Sequence, residues 1–245
     1  MPVTLRKALP LVLAAVFALG AYLQDRAGTD RTADAPAADG DTAPTPDRAP
    51  AQVPAGSGFD FYVLSLSWSP TFCQSGQARD GDPQCDPGRA RGFVVHGLWP
   101  QNERGYPEFC PSSEPQRVPA AIGRELSTFM PSMGLIGHQW RKHGTCSGLS
   151  QREYFSVLAA AFGRLEIPKP YSDGRTAGTV SPGALEQAFI DANPGLSPGG
   201  IAVTCDGRRL EEIRICMTRD LRFRDCREVD QRACRIDTVT IPTAR

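Results

Sequence analysis

The chain has 245 residues and 40% hydrophobic side chains, enough for one large domain or two small ones. Its 27 basic and 27 acidic side chains cancel, which excludes a uniformly basic surface. Any positive field toward a polyanion must therefore be local.

In chain order, Arg6 and Lys7 precede an apolar run, Ala8 to Leu23, broken only by Pro10 and Gly20. It falls short of the about 20 apolar residues that a membrane span needs, and it reads as a signal peptide over residues 1–23, with an uncleaved anchor as the alternative. Residues 24–57 are mostly Ala, Pro, Asp, Thr and Gly. Such a composition buries too little surface to offset its ordering entropy, so it reads as a disordered linker. The aromatic cluster Phe59–Tyr62 opens a single domain over 58–245. Residues 1–56 hold five basic and six acidic side chains, leaving 22 and 21 beyond them, where Lys142 and Lys169 are the only lysines.

Phe61 to Trp68 alternates large and small residues and predicts a central strand. Residues 70–91 read as a loop. Phe93–Val95 reads as a short buried strand with His96 at its end, and Pro100 to Pro119, with five prolines, as another loop. Helices are predicted over 120–130, 137–147 and 151–165. The last opens on the capping box Ser150-x-x-Glu153. A further helix starts at Ser181 with Pro182 in its first turn and ends near Asn193-Pro194. Ile201–Cys205 and Glu211–Met217 form a hairpin around Asp206-Gly207, and Leu221–Arg224 suggests another strand. Strands, then helices, then strands predict an α+β fold with a central, largely antiparallel sheet flanked by helices.

The eight cysteines are Cys73, Cys85, Cys110, Cys146, Cys205, Cys216, Cys226 and Cys234. An even number confined to the domain, behind a signal peptide, reads as four disulfides in an oxidising compartment, periplasmic or extracellular. Sequence leaves 105 pairings open.

The chain has three histidines. His96 lies in F-V-V-H-G-L-W-P, where a strand meets a Gly/Pro segment. His138 and His143 lie in H-Q-W-R-K-H-G-T-C, where residues four apart share a helix face, so Gln139 lies beside His143 and His138 beside Lys142. Imidazoles with a fixed cation suit phosphoryl transfer, in which an anion is held while protons move. A zinc site on His138, His143 and Cys146 has the wrong spacing and would use an oxidised cysteine, which also disfavours a Cys146 nucleophile. A serine hydrolase lacks its G-x-S-x-G elbow.

These two segments, in this order, resemble the active-site segments of the ribonuclease T(2) family, and Y-V-L-S-L-S-W-S-P-T-F-C (62–73) is similar to its first core strand. The resemblance extends over about 59–240. It implies metal-independent, cofactor-free endonucleolytic cleavage of single-stranded RNA, with little base specificity, through the 2′-hydroxyl to a 2′,3′-cyclic phosphate. DNA would not be cleaved. By position, His143 would be the general base and His96 the general acid. His138 would hold the phosphate and Lys142 would stabilise its growing charge. Trp99 would border the base site, with Gln101 and Tyr106 as further substrate-binding candidates. The resemblance also implies the pairs Cys73–Cys85, Cys110–Cys146, Cys205–Cys234 and Cys216–Cys226.

One position departs from the pattern: Gln139 stands where the family usually has glutamate. Glutamine keeps the shape and an acceptor but loses the charge. The alternative function is therefore a pseudoenzyme that binds RNA or another polyanion. A monomer is expected, with membrane contact only if the N-terminal segment stays uncleaved.

Overall fold

The computed structural model describes residues 53–244. The predicted signal peptide, and most of the predicted linker, lie outside the described residues. Residues 53–57, assigned above to the linker, belong to the domain surface. Val53 packs on the core, the Ser57 amide donates to Ser147 O (2.9 Å), and Gly56 O accepts from Arg219 (3.1 Å).

The sheet has the order β2 (Phe93–Gln101), β1 (Phe61–Trp68), β5 (Arg209–Met217), β6 (Val239–Ile241), β3 (Gly178–Val180), with β4 (Ile201–Asp206) also pairing β5. All pairings are antiparallel except the single β5–β6 contact. The period-2 alternation of β1 divides the sheet into two faces. Tyr62, Leu64, Leu66 and Trp68 point into the main core with Ile213, Ile215 and Met217. That face is covered by α2 (Ala120–Leu126), α3 (Met133–Lys142), α4 (Gln151–Gly163) and α5 (Pro182–Ala192), which contribute Ile122, Ile136, Trp140, Tyr154, Leu158, Leu185 and Phe189. The opposite face carries Val63, Ser65 and Ser67 on β1, beside Glu212, Arg214 and Cys216 on β5. At one end it is closed by a small cluster of Phe61, Val63, Ala202, Cys216, Cys226 and Val229.

This is the α+β fold expected, with several boundaries moved. The strand carrying His96 does not stop at Val95 but continues to Gln101. Opposite β1 its register runs Ser65↔Gly97 and then Leu66↔Val95, so His96 is the extra residue of a β-bulge. Bulges re-aim side chains next to sites, and this one turns a mid-strand histidine out of the ladder. The helix predicted over 137–147 begins earlier, at Met133, with the Ser132 hydroxyl accepting from the Leu135 amide (3.4 Å). It ends at Lys142, and a 3-10 turn follows at Gly144–Cys146. A Cβ at Gly144 would run into the Trp140 ring, so only glycine lets this turn pack so closely on that ring. Helix α2 ends at Leu126, four residues short of the expectation.

A short helix, α1 (Ser69–Gln74), lies in the segment expected to be loop, and α6 (Arg227–Asp230) follows the strands. Leu221–Arg224 is no strand; it makes only the bridge Met217↔Phe223. The capping box at Ser150/Glu153 and the hairpin are as expected. Four disulfides join Cys73 to Cys85, Cys110 to Cys146, Cys205 to Cys234 and Cys216 to Cys226, the pairs that the resemblance implies.

Candidate active site

The sheet face opposite the main core opens into a cleft of about 320 Å³. His96, Trp99 and Gln101 reach it from β2, His138, Gln139 and Lys142 from α3, and His143 from the residue that caps that helix. Tyr106 lines it from the loop after β2, Arg214 from β5, and Glu228 and Arg232 from the C-terminal segment. Every candidate substrate or catalytic residue named from sequence therefore meets in one place. Lys142, Arg214 and Arg232 bring cations to the cleft, each beside a carboxylate: Glu108 (3.5 Å), Glu212 (2.7 Å) and Glu228 (2.9 Å).

The two principal imidazoles sit in opposite surroundings. His143 is only 5% exposed, and its Nδ1 is enclosed without a hydrogen-bond partner, so Nε2 is the nitrogen that can meet a ligand. Burial, with Lys142 and then His96 and His138 nearby, lowers its pKa from 6.5 to about 3. His143 is neutral at physiological pH. The Nδ1 of His96, in contrast, is hydrogen-bonded to the Oε1 of Glu212. Glu212 is 4% exposed, and its Oε2 accepts from Arg214 Nε (2.9 Å) and a terminal guanidinium nitrogen (2.7 Å). Burial alone would raise the Glu212 pKa, but His96 and Arg214 outweigh it and bring it to about 2, so the carboxylate stays ionised.

Trp99 stands beside both histidines. Its ring stacks on His143 (centroids 5.3 Å apart, 28° between planes) and meets His96 edge-on at 5.4 Å. Its indole N–H donates to Gln139 Oε1 (2.8 Å), and the Arg214 guanidinium lies 5.3 Å from its ring centre. Trp99 thus borders the cleft as expected, but neighbouring side chains already engage its ring. The aromatic with free surface is Tyr106, 44% exposed. The glycine after His96 has a local reason: a Cβ at Gly97 would collide with the Gln139 amide oxygen and the Trp99 indole nitrogen.

Gln139 is buried and serves as the acceptor for Trp99, so its amide has a structural partner. His138 is exposed on α3; partial burial, then Lys142, Arg141 and His96, lower its pKa. Lys142 lies 3.5 Å from Glu108 in a partly exposed pair. Gln101 borders the cleft with its amide donating to Pro100 O (3.1 Å).

Sequence reasoning missed Glu212, Arg214, Glu228 and Arg232. For the first two a signal existed: charged residues two apart within a predicted core strand share one face, and such a pair needs a partner.

The sequence matches the Ribonuclease T2 family over residues 59–226. The chain belongs to that family. It is 39% identical to a ribonuclease of Aeromonas hydrophila over 166 residues, covering 66% of this chain and 73% of the relative. It is 36% identical to a probable ribonuclease of Haemophilus influenzae over 121 residues, 44% of each chain. The fold matches an RNase-related protein from Calystegia sepium, with a TM-score of 0.57 and 20% identity, over 77% of this chain and all of the other. It also matches trichomaglin, an S-like ribonuclease, with a TM-score of 0.59 and 22% identity at the same coverage. Family membership supports endoribonuclease activity.

The buried histidine couples stability to pH. Between pH 6.5 and about 3 the unfolded chain binds a proton at His143 that the fold resists, so stability is present above 6.5 and is lost as the pH falls. Glu212, depressed to about 2, adds a loss in the same direction below 4.5. Thermal unfolding from pH 7 to pH 4 is expected to show a falling Tm, with a shallower slope in His143→Gln. Equal slopes would mean that His143 takes up no extra proton on unfolding.

Proposed function

We propose that the protein cleaves single-stranded RNA by transphosphorylation, with His143 as base and His96 as acid. The observation that carries this reading is the contrast between the two imidazoles. His143 is buried, uncharged and without a partner at Nδ1, whereas the Nδ1 of His96 is held by the ionised Glu212. His143, stripped of its proton by burial and cations, accepts the proton of the 2′-hydroxyl. The 2′-oxygen then bonds to phosphorus, and the bond from phosphorus to the 5′-oxygen breaks. His96 gives its proton to that oxygen, leaving a 2′,3′-cyclic phosphate and a 5′-hydroxyl. His138 and Lys142 hold the phosphate oxygens as charge accumulates on them. Tyr106 offers a base its open ring, while Trp99 and Gln101 border the same space.

The test is purified protein with single-stranded RNA, and with DNA of the same sequence, which lacks the attacking hydroxyl. RNA should be cut to cyclic-phosphate ends with and without chelator, and DNA should survive. Loss of cleavage with chelator would overturn the metal-free reading. Binding of RNA without cleavage from pH 4 to 8 would replace the enzyme with a polyanion-binding protein lacking the carboxylate at position 139. The four disulfides fit an oxidising compartment, periplasmic or extracellular, and a monomer is sufficient because one chain supplies the whole cleft.

Glu108 competes with substrate phosphate for Lys142. A partly exposed pair of this kind contributes about 0.2–1 kcal/mol. Glu108→Gln is therefore expected to lower KM for RNA about 1.5–5-fold, with the difference shrinking at high salt. An unchanged KM at low salt would remove Lys142 from the phosphate contact.

A further inference from the structure

His96 and Glu212 lie on strands that are not neighbours. Strand β1 runs between β2 and β5, and adjacent strands are about 4.8 Å apart. Two features let the side chains meet. The bulge turns His96 out of the β1–β2 ladder, and the β1 residues facing the cleft at this level are Ser65 and Ser67, paired with Arg214 and Glu212. With only hydroxymethyl groups on the intervening strand, the imidazole and the carboxylate close over it. Arg214 then fixes the carboxylate through two hydrogen bonds and reaches Trp99, which stacks on His143.

A carboxylate buried in this way is costly to desolvate, and such pairs are weak contributors to stability. What the arrangement supplies is orientation. With Nδ1 engaged by Glu212, His96 can present only Nε2 to the cleft.

We propose that Glu212, held by Arg214, is the positioning residue of the acid step: by holding Nδ1 it aims Nε2 of His96 at the departing 5′-oxygen. This rests on the reading of His96 as the acid. His96 borders two cavities; His138, Lys142, His143 and Arg214 line one with it, and Arg141 and Glu212 line the other. Among the hydrogen bonds of the described residues, Glu212 is the one side-chain partner of the His96 ring.

The experiment compares Glu212→Gln with the parent on RNA and on a nucleoside 3′-(4-nitrophenyl phosphate), whose phenolate leaves without needing an acid. On RNA, kcat should fall about 10–100-fold, less than the roughly 10²–10⁴-fold expected for loss of the acid itself, with KM little changed. On the aryl ester the loss should be under about threefold, because P–O cleavage no longer waits for a proton. If Glu212→Gln fails to fold, Arg214→Lys, which keeps the charge but loses the double hydrogen bond, should show the same substrate contrast in weaker form.

Equal losses on both substrates would overturn the positioning role. Failure of the underlying reading looks different: His96→Ala itself would retain full cleavage of RNA.

Discussion

His143→Ala is expected to lower turnover of single-stranded RNA about 10²–10⁴-fold, the usual contribution of a positioned acid or base. The cause is specific to this ring. Its pKa is held at about 3 by burial first and by Lys142, His96 and His138 next, so the neutral, proton-accepting form is present in the free protein down to strongly acidic pH. The acidic limb of kcat/KM, which reports the free enzyme, should therefore lie well below the ordinary histidine range. Gln139→Glu tests the same ring from the other side. Residue 139 is one helical turn before His143, and its side chain accepts from the Trp99 that stacks on His143. A carboxylate there keeps the acceptor and adds an anion, which favours protonated His143 and moves the acidic limb to higher pH. Steady-state rates from pH 3 to 8 for the three proteins check both outcomes. An acidic limb that stays in place in Gln139→Glu would separate residue 139 from the base, and a His143→Ala protein with full turnover would end the base assignment.

The parts of this site legible in the sequence are those that lie within one segment. H-Q-W-R-K-H-G-T-C places Lys142, His143 and Gln139 through helical geometry alone, and local periodicity survives even though the helix begins four residues earlier and ends before His143. His96 was visible as a residue, but its position at the end of a strand was not correct. A bulge depends on how two strands pair, and neither strand records that pairing by itself. Glu212 lies 116 positions from His96, and their meeting depends on strand order and on two serines of a third strand. The three-residue strands β3 and β6 were missed because so few residues carry no periodicity. The hairpin and the capping box, whose signals are complete within about a dozen residues, were legible throughout.

The second large effect concerns the bridge that joins the loop after β2 to the end of α3. Cys110 and Cys146 close 36 positions, which corresponds to about 4 kcal/mol in the chain-entropy account. In a domain of this size that is about 8–16 °C in Tm. The double variant Cys110→Ser/Cys146→Ser should show this loss and, in addition, a kinetic one. The residues before Cys110 are fastened to the catalytic helix: the Phe109 amide donates to Lys142 O (2.8 Å), satisfying a carbonyl at the helix end, and Glu108 sits against the Lys142 ammonium. Release of the strap frees Lys142 to sample positions away from the phosphate, so KM for RNA should rise even at temperatures where the protein is folded. The matching control is Cys73→Ser/Cys85→Ser, which opens a 12-residue separation in a segment none of whose residues lines the cleft. It should lose somewhat less in Tm, its loop being shorter, and leave kcat/KM at 20 °C unchanged. If both variants lose stability and neither loses affinity, the bridge at Cys146 stabilises the domain without holding Lys142 in place.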